Sequence, residues 1–246
     1  MYDASLSKWA QMLAVTGYTP ILNHPRSEAE YGSLAAKLNE VNIPMTWTGR
    51  RTVEDCWLSK YLRKRRGPPI THSTADNPAK NSIAYHIVQA EKFEMIANAT
   101  ALGCSDVIVW IDYGIFHLPG MTAGVIEDFM VRSVSEEAIA IPGCWERNYQ
   151  YDDRYPCWRF CGGLMVVPRK LAAALAAVMR DECKRHLRET GNLSWEVNTL
   201  ARVEQRYPDL PIRWYKADHD SSMFTNYQAT EHADGWKAQG LRGVQG

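Results

Sequence analysis

An aspartate that ends a β-branched apolar run is the residue of this sequence best placed to do chemistry. Asp112 closes VIVWI within the segment VIVWIDYG, and a carboxylate there must reach solvent or a cation, because burying it unpaired is costly. Such a strand-end carboxylate can bind a divalent metal, a ribose hydroxyl or a substrate amine; the plain structural alternative is an aspartate that caps the next turn. Gly114, two residues on, permits close backbone approach to a ligand. The stretch WERNYQYDDRYPCWRFCGG, 145–163, sets aromatic rings beside acids and arginines. Flat rings with hydrogen-bonding neighbours suit a sugar or a base, which assigns Trp145, Asp152 and Asp153 to substrate binding, while core packing claims part of the aromatics. Gly162 and Gly163 either let the backbone run close to a ligand or mark a strand irregularity. Lys60, Arg63, Lys64, Arg65 and Arg66 end a helix, where they serve the helix C-terminus and solvent or grip an anionic partner such as nucleic acid.

The elements that must position these residues alternate in type. Apolar runs at 12–16 (MLAVT), 43–47 (IPMTW), 107–111 (VIVWI), 138–142 (AIAIP), 164–168 (LMVVP) and 212–216 (IRWYK) have strand length and strand composition. Helical spacing predicts helices over 28–41, where Ser27 and Glu30 form a capping box, and over 52–66, 79–102, 169–190 and 194–207. The continuous VIVWI run has the pattern of a strand buried on both faces of a parallel sheet. Alternating strands and helices predict an α/β sheet covered on both faces, and such sheets bind ligands beyond the carboxyl ends of their strands. That rule gathers Thr16, Asp112 and the residues after Lys216 at one rim.

Composition narrows the partners. The 246 residues are 46% hydrophobic and 23% charged, which is ordinary for a globular chain, and their length suits one α/β domain. The 28 basic residues balance the 28 acidic ones, so no net field draws the chain to nucleic acid or an anionic membrane, and such a partner would need a local patch. No run reaches the roughly 20 apolar residues that span a bilayer. The start MYDASLSKWAQ lacks a signal-peptide pattern, and a cytoplasmic protein without a transmembrane segment is expected. The six cysteines form no CxxC pair and are expected to be reduced core thiols.

The run VIVWIDYGIFH, preceded by the long helix that carries Lys92, resembles the nucleotide-binding core of GT-A glycosyltransferases, and most closely the bacterial HtrL/YibB-like family. AVTGYTPI, EAEYGSLAAKL, FCGGLMVV and SWEVNTLARVEQRYP followed by a short strand and NY resemble that family in order and spacing, over about residues 12–227. The resemblance implies a single GT-A-like (Rossmann-like) nucleotide-diphospho-sugar transferase domain with a mixed central sheet and helices on both faces. Residues 12–115 would bind the nucleotide sugar, 116–227 would carry acceptor binding and catalysis, and 228–246 would be a tail. It also implies a DxD-type motif at Asp112, Tyr113 and Gly114, with Gly114 standing where the second carboxylate would hold the metal.

The remaining roles come from the same resemblance. Thr16, Lys80 and Lys92 would join Asp112 and Gly114 around the nucleotide, the lysines by reaching its phosphates, with a solvated helix face as their structural alternative. His219 in KADHDSS would join Asp112 in holding Mn2+ (or Mg2+) on the diphosphate. Glu196 in NLSWEVN would act as acceptor base or orienter, with Trp195 beside it on the substrate side; a glutamate opening a helix capped by Ser194 is the alternative. The expected activity is sugar transfer from a nucleotide-diphosphate donor to a hydroxyl acceptor such as a glycan or lipopolysaccharide precursor. Two alternatives stand beside it: a phage-type DNA glycosyltransferase acting on hydroxymethylated bases through Lys60–Arg66, and a non-catalytic sugar- or nucleotide-binding module.

Overall fold

The computed structural model describes residues 21–22, 46–47, 52–65, 71–72, 82–102, 106–112, 114–132, 136–147 and 152–229. The expected strand at 12–16 and helix at 28–41 lie outside these residues, as do Thr16, Arg66, Lys80 and Tyr113. In chain order the described strands are β1 (Ile21–Leu22), β2 (Thr46–Trp47), β3 (Thr71–His72), β4 (Val107–Ile111), β5 (Ile139–Gly143), β6 (Leu164–Pro168), β7 (Asn192–Leu193) and β8 (Ile212–Lys216). The α-helices are α1 (Trp57–Lys64), α2 (Ile83–Ala99), α3 (Ala123–Arg132), α4 (Arg169–Thr190), α5 (Glu196–Arg206) and α6 (Ser222–Thr225). The protein is mixed α/β, with a mixed-orientation sheet flanked by helices.

Four strands form the central sheet in the order β4-β6-β5-β8. β6 runs antiparallel to β4, with Ile111 opposite Leu164, and antiparallel to β5, with Ala140 opposite Val166. β5 and β8 run parallel, with Gly143 opposite Lys216. The carboxyl ends of β4, β5 and β8 therefore share one rim with the start of β6, and the rim that strand-end reasoning requires exists.

Period-two alternation divides the middle strands between two cores. Ile139, Ile141, Met165 and Val167 face Phe93 and Ile96 of α2, Leu175 and Met179 of α4, and Leu200 and Val203 of α5. Ala140, Leu164 and Val166 face Ile126 and Phe129 of α3, Phe224 of α6, and Tyr227. Each such fully buried aliphatic or aromatic side chain stabilises the fold by about 1.5–3 kcal/mol relative to leaving it in water, so the β5–β6 centre is the rigid part of the site's support.

The helix ends follow local chemistry. α4 starts directly after Pro168 and stops at Gly191, whose φ of 70° is left-handed and whose N–H reaches the Leu187 carbonyl at 3.0 Å. α2 begins at Ser82, whose hydroxyl accepts the Tyr85 N–H at 3.1 Å. It thus starts later than 79, and a 3-10 turn, Thr100–Leu102, finishes it. The basic-ended helix opens as a 3-10 turn, Val53–Asp55, before α1.

Two expectations need correction. β4 is not a parallel strand buried on both faces: among the described residues it is an edge strand paired antiparallel to β6 alone, and four of its five residues are only partly buried. Its continuous apolar run satisfies a half-covered edge as well as a centre, which periodicity could not distinguish. The helix α3 had not been expected. Thr122 supports its start by accepting the Val125 N–H at 3.3 Å, and Ile126 and Phe129 are its buried residues.

Candidate functional site

At the rim, Asp112 is pinned by its own backbone and by its neighbours. Its N–H donates to the Gly163 carbonyl at 2.9 Å, and its Oδ1 accepts the Trp110 indole N–H at 2.7 Å. The same oxygen lies 3.2 Å from Lys92 Nζ. Lys92 comes from the buried side of α2 and is 2% exposed. Its ammonium also donates to the Gly162 carbonyl at 2.8 Å and to Glu196 Oε1 at 3.4 Å. An ammonium has three donors, and all three are directed at protein acceptors. Lys92 is therefore the counterion that joins two carboxylates, and not the phosphate-reaching lysine expected of it.

Electrostatics explain how a buried ammonium persists. Burial alone pulls its pKa down, but the charges of Asp112 and Glu196 and the hydrogen bonds they accept outweigh that penalty, so Lys92 sits above the ordinary lysine value. Glu196 opens α5, where the positive end of the helix dipole favours a carboxylate. Ser194 does not cap that helix; Trp195 occupies the cap position without a side-chain cap bond, and the Ser194 hydroxyl faces Asp153 Oδ1 at 3.4 Å. The Glu196 side chain is 9% exposed and that of Asp112 is 40% exposed. One carboxylate is thus sheltered and the other opens to the rim, an arrangement able to orient hydroxyls with one group while the other meets solvent or a ligand.

The glycine pair serves this cluster. A Cβ on Gly162 would lie 2.5 Å from Glu196 Oε1 and 3.2 Å from Val197 Cγ1. Gly162 is there so that its carbonyl can meet Lys92 while Glu196 packs against its Cα. Gly162→Ala is expected to turn Glu196 away from Lys92 and to lower stability by about 1–3 kcal/mol, as overpacking does. A denaturant titration checks this, and an unchanged midpoint removes the close-approach account. A Cβ on Gly163 would meet nothing nearer than 3.4 Å.

A second cluster occupies the same rim. Cys144 follows β5, Cys161 precedes β6 and His219 follows β8. Cys144 Sγ lies 3.6 Å from Cys161 Sγ and 3.6 Å from His219 Nδ1. Asp218 Oδ1 is 3.6 Å from Cys144 Sγ, and the Trp158 ring meets the imidazole edge-on at 4.1 Å. The hydrogen bond with Cys161 holds Cys144 low, to about 6, and the same contact together with burial pushes Cys161 up. His219 makes no ion pair with Asp112. In the described sheet β6 and β5 lie between β4 and β8, and among the described residues His219 gathers with Cys144 and Cys161 and not with Asp112. The five described cysteines are free thiols. Sequence reasoning filed Cys144 and Cys161 as core thiols; Cys161 is indeed buried, but Cys144 is only half-buried and follows directly on β5 at the rim, as Asp112 follows β4.

The aromatic and acidic segment folds mostly upon itself. Asp152 accepts from the Arg154 backbone N–H at 2.8 Å and side-chain Nε at 2.7 Å, and Asp153 pairs with Arg202 at 2.6 Å. Arg159 is buried, pairs with Glu204 through two bonds of 2.9 and 2.6 Å, and donates to the Trp145 carbonyl at 3.1 Å. Trp195, 5% exposed, packs edge-on against Tyr85 and His86. These contacts tie Asp152, Asp153 and Trp195 to the protein itself, while the two aspartates stay partly exposed. Gly114 opens the 3-10 turn Ile115–His117. Lys60, Arg63 and Lys64 are exposed on α1, with Arg63 donating to the Glu54 carbonyl at 2.9 Å. A void of about 10 Å³, lined by His86, Ser194, Glu196 and Thr199 among others, lies beside Glu196; it suits one water and excludes a sugar. No described helix is long and apolar enough to cross a membrane.

No family model, no curated protein and no solved structure matches the chain.

Proposed function

We propose that this protein is a GT-A-type glycosyltransferase, moving a sugar from a nucleotide-diphosphate donor to a hydroxyl acceptor such as a glycan precursor. The reading is carried by one observation: at the carboxyl rim of a mixed sheet, buried Lys92 joins the strand-end Asp112 to the helix-opening Glu196. A mixed sheet with helices on both faces is also what the GT-A resemblance implies. Asp112 Oδ2 is the oxygen left to receive the donor, through its ribose hydroxyl or through a divalent ion on the diphosphate. Gly114 offers no second carboxylate, so Asp112 would give such an ion a single-oxygen contact, and diphosphate and water would contribute to its coordination. A bound ion would stabilise the charge that develops on the departing phosphate. Glu196 would accept the hydrogen bond of the attacking hydroxyl and fix its direction, with Lys92 holding both carboxylates in place.

The test combines binding and transfer. A panel of nucleotide sugars, each with manganese and with chelator, should contain one that raises the melting temperature, because a ligand of the folded state stabilises it. Asp112→Asn should weaken that nucleotide's binding. Glu196→Gln should leave binding nearly intact and lower transfer by about 100-fold, the low end of a lost general base. Failure of every nucleotide sugar to bind, or full transfer in both variants, overturns the proposal.

A further inference from the structure

We propose that Cys144, Cys161 and His219, with Asp218 as fourth ligand, form a binding site for a thiophilic divalent cation, Zn2+ in the first place. The site is independent of the transferase reading and uses none of Asp112, Lys92 or Glu196.

The distances carry the proposal. A tetrahedral zinc with bonds of about 2.3 Å to sulfur and about 2.0–2.1 Å to nitrogen requires ligand-to-ligand edges of about 3.8 Å for S···S and about 3.6 Å for S···N. The structure has 3.6 Å between the two sulfurs and 3.6 Å between Cys144 Sγ and His219 Nδ1, and all three ligand atoms lie within 4.8 Å of one another. Asp218 Oδ1 stands 3.6 Å from Cys144 Sγ and 3.9 Å from His219 Nδ1, which supplies two of its three edges, and a small turn of its exposed side chain toward Cys161 would complete the set. The two thiols and the imidazole are thus spaced for an ion before one enters. A disulfide would instead need the sulfurs to close to about 2.03–2.05 Å.

The fold fixes each ligand from a separate segment. The Ala217 N–H extends the β5–β8 ladder onto the Gly143 carbonyl at 3.0 Å, which brings the loop of Asp218 and His219 beside Cys144. Cys161 is tied by its N–H to the Pro142 carbonyl at 2.7 Å, and Cys144 by its N–H to the Trp158 carbonyl at 2.9 Å. Asp218 Oδ1 accepts the His219 N–H at 2.7 Å and the Asp218 N–H donates to Ser222 Oγ at 2.9 Å, so the loop is held from within. Simple core packing accounts for one buried thiol, and it does not account for a second thiol, an imidazole and a carboxylate around the same point. Thiolate and imidazole donors select zinc over manganese, magnesium or calcium. Binding is redox-neutral: two thiols give up their protons to solvent and two S–Zn bonds form.

The experiment uses the full chain, reduced and stripped with chelator, and adds the metal alone. Zn2+ should bind one ion per chain, raise the melting temperature and protect two thiols from a disulfide reagent. Co2+ in its place should produce a near-ultraviolet thiolate-to-metal charge-transfer band with the visible bands of a tetrahedral ion. His219→Ala, on a part-exposed loop and safe for folding, and Cys144→Ser should each weaken Zn2+ by at least about 100-fold, more than the loss of an outer-shell partner costs. Absence of the cobalt band and of thiol protection in the parent overturns the proposal, as do unchanged bands in both variants. Mild oxidation that links Cys144 to Cys161 in a reduced protein that takes up no metal also overturns it, in favour of a redox pair.

Discussion

Lys92→Met should lower the melting temperature by about 6–12 °C, which corresponds to about 3 kcal/mol in a chain of this size. Methionine fills nearly the same volume, so no cavity adds to the effect. What changes is charge. Lys92 Nζ sits 3.2 Å from Asp112 Oδ1 and 3.4 Å from Glu196 Oε1, and without it two carboxylates face each other, one of them only 9% exposed. Breaking a buried pair by removing one partner costs about 3–5 kcal/mol, and the lower end applies because Asp112 is 40% exposed and can be rehydrated. Adding Glu196→Gln should restore about half of the loss, since the sheltered charge is then gone. Thermal melts of parent, single and double variants decide the matter: a single variant as stable as the parent, or a double variant no better than the single, rules out the bridging role.

Much of the frame was legible in the sequence because it is local. LMVVP and IRWYK became β6 and β8 over the residues expected, and α4 spans 169–190 because Pro168 and Gly191 bound it. The common rim was legible too, from strand ends alone. Partnership across the chain was not. Nothing near Lys92 in sequence says that its ammonium meets a carbonyl 70 positions away and a carboxylate 104 away, and so a buried counterion reads, from the sequence, as a lysine that reaches the phosphates. Likewise His219 was paired with Asp112 because both follow strands; the strand order, which sets β6 and β5 between them, is a tertiary fact. The same order places His219 beside Cys144, two residues whose 75-position separation gave no reason to join them. The pairing of Asp153 with Arg202, 49 positions on, was likewise out of reach of a local reading, whereas Arg154, the partner of Asp152, stands in the same stretch.

Gly143→Ala should be the most damaging single methyl group in the described structure. Gly143 needs no special backbone angle; its requirement is space. A Cβ there would stand 1.8 Å from the Arg159 carbonyl oxygen, 2.7 Å from its carbon and 2.4 Å from Trp214 Nε1. Two of these atoms are backbone and cannot swing aside, so β5 and the 158–161 strand of chain must separate. That separation strains the Cys161–Pro142 and Cys144–Trp158 backbone bonds, and with them the buried Arg159 side chain that pairs with half-buried Glu204. The expected cost exceeds about 4 kcal/mol, the range reserved for named structural failures, or more than about 8 °C in melting temperature. Any folded fraction should also lose the cobalt charge-transfer band, because Cys144 and Cys161 are held on the two backbones that move apart. Gly163→Ala is the control: its Cβ would make only ordinary contacts, 3.4 Å or longer, and should cost less than about 1 kcal/mol. Circular dichroism melts of the two variants measured side by side give the result, and a Gly143→Ala protein that melts with Gly163→Ala would show that the backbone around Arg159 is not packed against Gly143.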